Sequence, residues 1–196
     1  YKGNLVIRGE AVIKYSDFNR MNEMLSESEE KYKNPRNLCS GSVRQLNNEI
    51  TAKRHVNFYA FSMVADILNA EQIKEYGFDN TMTGRFAWLS KQGFDVVEHY
   101  VVTRDNIEKQ VMDFAERIAD HDIPSDGLVL SFNDIAYGRS LGTTAKFPRD
   151  SIAFKWADEL AETTLLSVEW SPSRTGLINP VAIFSPVELE GTTVSR

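Results

Sequence analysis

The chain has 196 residues, 42% hydrophobic and 26% charged, so it can form one sizeable core and is far from a disordered composition. Its net charge of −6, taken alone, argues against a nucleic-acid partner, but residues 31–54 carry six Lys and Arg side chains against one carboxylate, Glu49, so a local basic patch is possible. The single cysteine, Cys39, excludes an internal disulfide and a cysteine-built zinc site, and no apolar run reaches the about 20 residues of a membrane span.

Hydrophobic periodicity in the first half predicts both strands and helices. The predicted elements are a strand over 5–14, a helix over 16–32 capped at Ser16 or Asp17, a loop over 31–42, a short helix within 42–50 and a buried strand over 56–66. The side chains expected to point inward from the first helix are Phe18, Met21 and Met24 or Leu25. The alternating pattern places Arg8 and Glu10 together on one face of the first strand.

The second half continues with mixed elements and ends in β structure only. The predicted elements are a helix over 83–93 with Gly93 at its C-terminal cap, a strand over 94–103, a helix over 103–122, strands over 126–132 and 151–156, and three β segments over 163–170, 176–184 and 187–195. Strands and helices do not alternate strictly, which predicts an α+β domain with antiparallel sheets and flanking helices over residues 1–160. Residues 161–196 are expected to begin a separate, all-β domain.

Polar side chains among small residues recur on one face of three predicted strands. If these strands share a sheet, Arg8, Glu10, Ser131 and Lys155 line a common groove. A lysine, a carboxylate and small neighbours suit a phosphorylated ligand with a hydroxylated sugar. The alternative is that this face is simply exposed to solvent, as in many antiparallel sheets.

The segment "KYKNPRNLCSGSVRQL" (31–46) places Arg36 and Arg44 on either side of a predicted Ser-Gly-Ser turn. Backbone N–H groups of such a loop, together with arginine side chains, suit phosphate oxygens. An ordinary capped loop before a helix explains the same residues. Aromatic residues at 58, 59 and 61 follow, and they either stack on a base or belong to the core. The three histidines lack metal-ligand spacing, so no metal site is predicted from protein side chains.

Seven motifs, taken in order, resemble the bacterial NAD-dependent DNA ligases. They are "VIRGE", "NPRNLCSGSVRQL", "ITAKR", "SDGLVL", "LGTTAKFPRDSIAFKW", "SRTGLINPVA" and "PVELEGTTVSR". The resemblance runs from the third nucleotidyltransferase motif through the adenylation domain and into the OB domain. It implies an adenylation (nucleotidyltransferase) fold over 1–160 and a truncated OB-fold β-barrel over 161–196.

The resemblance implies an enzyme that seals nicks in duplex DNA in three steps. A lysine takes AMP from NAD, the AMP moves to the 5′-phosphate of the nick, and the 3′-hydroxyl displaces it, with Mg²⁺ neutralising phosphoryl charge. The family's nucleophilic lysine lies in Lys-x-Asp-Gly, which does not occur here, so the nucleophile is expected outside these residues. A monomer in the bacterial cytoplasm, bound to nicked DNA and NAD and to no membrane, is the implied setting.

Matching motifs assign roles to individual residues of this sequence. The resemblance implies that Glu10 holds the AMP ribose, Phe61 stacks on adenine, Lys155 contacts the α-phosphate, Asp126 belongs to the motif around metal and nucleotide, Arg36 and Arg44 grip phosphates, and Arg174 lies on the DNA-facing OB turn. The family's tyrosine is replaced by Phe61, which keeps the π-face that stacking needs.

Departures from the family pattern mark a divergent member. Ser131 stands where the family has a lysine that touches the nucleotide, and a serine supplies no positive charge. Lys146 is a candidate replacement. Two alternatives follow for the full-length protein. It is either a ligase that seals more slowly, or a divergent paralogue that binds DNA without sealing it. An ATP-using ligase or capping enzyme would share the fold but does not usually show the "NPRN…GSVRQ" block.

Overall fold

The computed structural model describes residues 5–64, 70–75, 77, 79–156, 160–189 and 192–196. The strands are β1 (Val6–Val12), β2 (Asn57–Val64), β3 (Asp95–Val96), β4 (Gly127–Ser131), β5 (Ser151–Lys155), β6 (Leu165–Pro172), β7 (Ile178–Phe184), β8 (Val187–Leu189) and β9 (Thr192–Val194). The helices are α1 (Tyr15–Met24), α2 (Pro35–Ser42), α3 (Asn48–Lys53), α4 (Ala70–Glu75), α5 (Met82–Lys91), α6 (Ile107–Arg117) and α7 (Ile135–Ser140).

Small sheets organise this mixed α/β fold. β1, β2 and β3 form one sheet, in which β1 is antiparallel to β2 and β3 is parallel to it. Three antiparallel pairs follow, namely β4–β5, β6–β7 and β8–β9. The condition for a common groove, that β1, β4 and β5 share one sheet, is not met, since among the described residues β1 pairs with β2 and β4–β5 is a separate pair. Among the described residues the β6–β9 strands form two separate hairpins and no closed barrel.

Two clusters of buried side chains hold the first sheet to its helices. Ala60, Met63, Trp88 and Leu89 join β2 to α5, and Ile13, Phe18, Leu38 and Cys39 join the end of β1 to α1 and α2. Burial of these apolar groups supplies the main stabilisation, at about 25 cal/mol per Å² removed from water. The second cluster fixes α2 against the strand that carries Glu10.

Several predicted elements differ in extent or in the residues that they bury. The first helix begins after Lys14 without a capping side chain, because the Ser16 hydroxyl donates to Asp122 instead. Phe18 is buried as predicted, but Met24 is 77% exposed because α1 ends there. The predicted strand over 94–103 shrinks to β3, the only part of it that pairs with β2. The predicted β segment 187–195 consists of two short strands, β8 and β9, which pair antiparallel.

The predicted loop over 31–42 is wrong over most of its length, because residues 35–42 form α2. Its Ser-Gly-Ser stretch is the last turn of that helix and not a β-turn. The helix expected within 42–50 begins later, at Asn48. Two buried apolar residues, Leu38 and Cys39, stabilise α2 in spite of the low helix propensity of Gly41. The end of the strand predicted over 56–66 lies outside the described residues.

Candidate functional site

Three charged side chains from separate elements meet on the surface. Nη2 of Arg36 lies 3.8 Å from Oδ2 of Asp126, and Nζ of Lys155 lies 3.6 Å from the same oxygen. The Asp126 side chain is 63% exposed, and both cations are similarly open to solvent. We call this group the Arg36–Asp126–Lys155 cluster. Two cations on one carboxylate leave a net positive charge, which favours an anionic ligand such as a phosphate.

The β4–β5 ladder places two members of the cluster. Gly127 pairs directly with Lys155, and the Trp156 N–H donates to the carbonyl oxygen of Asp126 at 3.4 Å. A Cβ on Gly127 would collide with the carbonyl oxygen of Phe154 and lie 3.0 Å from Cα of Lys155. Glycine therefore allows the close strand approach that brings the Asp126 backbone beside Lys155.

Helix α2 places the third member. The Asn34 side chain accepts hydrogen bonds from the backbone N–H groups of Arg36 at 2.8 Å and Asn37 at 3.3 Å, and Pro35 begins the helix. The prediction that loop N–H groups around Asn-Pro are open to a phosphate is wrong, because Asn34 occupies them. The Arg36 side chain remains exposed at the start of the helix, so a phosphate would meet this side chain here and not the backbone N–H groups.

The segment that precedes Asp126 is attached at two points. Asp122 accepts hydrogen bonds from the N–H of Ser16 at 2.8 Å and from its hydroxyl at 2.7 Å. The Ser16 hydroxyl is the largest cause that lowers the pKa of the Asp122 carboxyl below its ordinary value. Nε2 of His121 lies 3.1 Å from Oε2 of Glu98, whose pKa is lowered chiefly by the hydroxyl of Tyr100. Sequence reasoning missed these anchors, since their partners are remote in the chain.

Glu10 lies beside the cluster rather than in it. Together with Arg36, Cys39 and Pro124 it lines a cavity of about 20 Å³. Burial is the main cause that raises the pKa of the Cys39 thiol, and the Glu10 carboxylate raises it further, which agrees with an unreactive cysteine. A cavity of this size admits about one water, so a nucleotide would lie over the open surface outside it.

The remaining predicted residues make no hydrogen bond or ion pair with the cluster within the described part of the chain. Phe61 is the extra residue at a bulge, since Arg8 pairs with Ser62 and Gly9 pairs with Ala60, and its side chain is 42% exposed. Ser131 pairs with Ser151, four residues along the β4–β5 ladder from Lys155 and thus about 14 Å away on the same face.

The two other arginines lie on separate segments. Arg44 is exposed just after α2, eight residues beyond Arg36, which corresponds to about 12 Å along a helix axis. Arg174 is exposed in the turn between β6 and β7. Neither the helix nor the turn brings these side chains into contact with the cluster, so their roles stay predictions.

Not every cation of the basic segment 31–54 faces solvent. Nη1 of Arg54 donates to the hydroxyl of buried Ser42 at 3.1 Å, and its guanidinium lies 5.6 Å from the centre of the Tyr32 ring. The hydroxyl of Thr51 donates to the carbonyl oxygen of Ser42 at 2.8 Å. These bonds join α2 to α3, so Arg54 stabilises the segment that presents Arg36 and Arg44 and is not itself a candidate phosphate ligand.

A wider cleft of about 580 Å³ lies elsewhere, along residues 93–99 near β3. It contains none of the residues that the motifs single out, and its ionisable lining residues are Asp95, Glu98 and His99, with no lysine or arginine. Size alone does not make a site, and the cluster offers the two cations that a phosphate needs. Within the described residues, no helix is long and apolar enough to cross a membrane, and no three His, Cys, Asp or Glu side chains are grouped to hold a metal ion.

Comparison with known proteins agrees with the motif order. The family model described as NAD-dependent DNA ligase adenylation domain matches residues 1–159. Proteins named DNA ligase from Ruminiclostridium cellulolyticum and Lachnoclostridium phytofermentans are each 61% identical over 196 residues, which is 100% of this chain and 29% of theirs. One from Clostridioides difficile is 36% identical over 198 residues, 28% of its length. The chain thus spans under a third of the relatives it matches, and it belongs to the NAD-dependent DNA ligase adenylation domain family.

Proposed function

We propose that the protein carrying this chain is a DNA ligase that uses NAD to seal nicks in duplex DNA, and that the chain supplies the phosphate-holding part of its adenylation site. The observation that carries the proposal is the Arg36–Asp126–Lys155 cluster, which joins three of the family's motifs across separate elements. Monomeric action in the bacterial cytoplasm is part of the same proposal.

The reaction balances as three transfers of phosphorus. A lysine amine attacks the α-phosphorus of NAD, a P–N bond forms, and the P–O bond to nicotinamide mononucleotide breaks while the amine loses a proton. An oxygen of the nick 5′-phosphate then displaces the lysine from that phosphorus. Finally the 3′-hydroxyl attacks the 5′-phosphorus, loses its proton and releases AMP. The attacking lysine is not among these residues, since the sequence contains no Lys-x-Asp-Gly.

Asp126 pairs with both the Arg36 and the Lys155 side chains, in the position that a phosphate would occupy. Ion pairs between exposed side chains contribute only about 0–1 kcal/mol, so a phosphate can replace the carboxylate at little cost. A phosphoryl group carries more charge and more acceptor oxygens, and it matches the donor geometry of Arg36. Lys155 would then stabilise the charge that develops on the α-phosphate, with Glu10 accepting from the ribose hydroxyls and Phe61 stacking on adenine.

Magnesium is proposed as a companion of the substrate phosphates. The described side chains do not fit a protein-built magnesium site, because Asp126 already faces two cations and no second carboxylate contacts it. Mg²⁺ is commonly held by one or two carboxylates together with phosphate oxygens and water.

The strands β6–β9 are proposed to begin an OB domain over 161–196, with Arg174 on its DNA side. Support comes from exposed apolar side chains on both strands of the β6–β7 pair, including Leu165, Trp170 and Ile178. A two-stranded hairpin is marginally stable by itself, so such strands are expected to pack into a larger sheet.

The test is adenylation of the full-length protein by NAD labelled in its AMP moiety. We expect a covalent AMP adduct with NAD and not with ATP, and a loss on the order of 10²-fold for Lys155→Ala. Lys91→Ala, which removes an exposed lysine from the last turn of α5, serves as the matched control. Folded protein that forms no adduct with NAD and Mg²⁺ would refute the proposal. The 196-residue chain alone should form none, since it lacks the nucleophile.

A second candidate is favoured by Ser131, which removes a family cation from the β4–β5 face. It is a paralogue that binds DNA in a salt-dependent manner and does not seal it. Restoration of sealing by Ser131→Lys in an inactive parent would support it. Efficient sealing by the native protein would rule it out.

A further inference from the structure

A basic stretch without carboxylates lies outside the cluster. Residues 135–149 contain Arg139, Lys146 and Arg149 and no Asp or Glu, and Asp134 and Asp150 flank them, in a chain whose net charge is −6. All three side chains are exposed. A local reversal of sign on an acidic protein is the electrostatic pattern expected where a polyanion binds.

The middle of this stretch is a tight hairpin over residues 143–148. Thr143 and Pro148 form an isolated β-bridge, and the N–H of Thr144 donates to the carbonyl oxygen of Phe147 at 2.7 Å. The Thr144 hydroxyl in turn accepts from the N–H of Phe147 at 2.9 Å. Gly142, with a φ of +70°, makes the entry turn that most side chains would strain. These bonds hold the hairpin in one shape before any partner binds.

The residues that flank the hairpin are packed against α7 and the end of β4. A Cβ on buried Gly138 would lie 3.0 Å from Cβ of Asp150, so α7 packs closely on the residue that leads into β5. The N–H of Phe132 donates to the carbonyl oxygen of Asp150 at 3.0 Å, and the Phe132 and Tyr137 rings meet edge to face at 4.9 Å. The base is therefore coupled to the strand that carries Lys155.

The tip presents an aromatic ring beside a cation. Phe147 is 68% exposed, and Lys146 next to it is exposed as well. Neither side chain is held in an ion pair or ring contact with another described residue, so both are available to a partner. A rigid aromatic next to a lysine suits a nucleic-acid backbone, since the ring packs on a sugar or base and the ammonium pairs with a phosphate.

The position of the hairpin relative to the cluster selects the substrate DNA as that partner. β5 runs from the hairpin base at Ser151 to Lys155, a distance of about 14 Å. Duplex DNA rises about 3.4 Å per base pair, so a duplex lying along β5 would pass the hairpin about four base pairs or more from the phosphate at Lys155.

We propose that the 143–148 hairpin is a second DNA contact, in which Lys146 pairs with a backbone phosphate of the duplex arm beside the nick and Phe147 packs against the adjoining sugar. The inference rests on the proposed function, because it takes nicked duplex DNA as the substrate. It assigns Lys146 to the DNA and not to the nucleotide site as a replacement for the lysine missing at Ser131.

The experiment measures binding of the full-length protein to nicked duplexes over a range of salt concentrations. We expect Lys146→Glu to weaken binding about tenfold. The negative slope of log K against log salt should become less steep by about one, because one phosphate contact is lost. Phe147→Ala should weaken binding several-fold without changing the slope. Lys91→Glu, an equal charge change on α5, should leave both quantities unchanged.

Three further measurements distinguish the possible reasons for a negative result. Duplexes whose arm beside the hairpin is cut below about four base pairs should bind the parent and Lys146→Glu equally well. Adenylation by NAD without DNA should be unaffected in Lys146→Glu, and its loss would overturn the assignment of Lys146 to DNA. Unchanged affinity and slope in Lys146→Glu, with a parent that adenylates and binds DNA, would overturn the inference alone. A parent that does neither would overturn the proposed function. A change of molar mass by light scattering in Phe147→Ala, with unchanged DNA affinity, would instead identify a protein contact.

Discussion

Gly127 offers the sharpest test of how the backbone places the candidate site. In Gly127→Ala the new methyl group would collide with the carbonyl oxygen of Phe154 and lie 3.0 Å from Cα of Lys155. Carbon–oxygen contacts are normally about 3.3 Å or longer, so β4 and β5 must separate by on the order of an ångström. Overpacking of this kind costs about 1–3 kcal/mol of unfolding free energy. It also moves Lys155 relative to Asp126, and a misplacement of about 1 Å can lower a rate on the order of 10²-fold.

The matched control is Gly41→Ala in α2, where a new Cβ meets no atom within 4 Å. Because alanine is the better helix former, this substitution should stabilise the protein by about 0.5–1 kcal/mol. Both variants are compared by chemical denaturation and by the rate of adenylation with NAD. A Gly127→Ala protein that keeps the parent's stability and adenylation rate would refute the view that strand proximity at this glycine sets the position of Lys155.

Substitutions at three further positions test the supports of the site. Asn34→Ala should cost about 1 kcal/mol in denaturation because two N–H groups at the start of α2 lose their acceptor, whereas Asn34→Gly should cost only a few tenths. Arg54→Met should lower stability by about 1–2 kcal/mol, since its bond to buried Ser42 is lost, but should leave the salt slope of DNA binding unchanged. The pKa of Asp122 is lowered in the folded state, so its ionised carboxylate stabilises the fold above the ordinary carboxyl pKa. This stabilisation is lost as the pH falls through the lowered, folded-state pKa. In Asp122→Asn, the melting temperature should therefore depend less on pH below about pH 4.

Local pattern predicted many strands and helices of this chain well. Alternation located β1 with Glu10 on its more exposed face, and it located β4 and β5 with Ser131 and Lys155 on one face. The 3.6-residue stripe located α6 within its predicted range. Such patterns succeed because the period of apolar residues follows directly from the geometry of each element.

The error at α2 shows where local propensity is overruled. Asn, Gly and three serine or cysteine residues favour a loop when they are taken one at a time. Asn34 directly before Pro35 is nevertheless a helix-start signal, and burial of Leu38 and Cys39 stabilises the helix that it begins. Tertiary packing thus outweighed composition in this segment.

The grouping of site residues was less accessible from the sequence. Periodicity assigns a residue to a face of its own strand but does not say which strands join in a sheet. A groove common to β1, β4 and β5 required a single sheet, which these strands do not form. Motif resemblance nevertheless selected Arg36, Asp126 and Lys155, and the structure brings these three together. No pattern in the sequence indicated Asp122 or Ser16, since 106 residues separate the two partners.

The geometry of the cluster must come from these attachments and not from its own ion pairs. At 3.6 and 3.8 Å, with side chains open to water, each pair contributes about 1 kcal/mol or less. By contrast, Asp122 holds the approach to Asp126 through Ser16, Asn34 holds the start of α2, and Gly127 holds β4 against β5. The backbone is therefore set before a ligand arrives, and only side chains need to move when a phosphate replaces the Asp126 carboxylate. A site built in this way binds an anion without a rearrangement of its strands, which would suit the phosphoryl transfers proposed for the full-length protein.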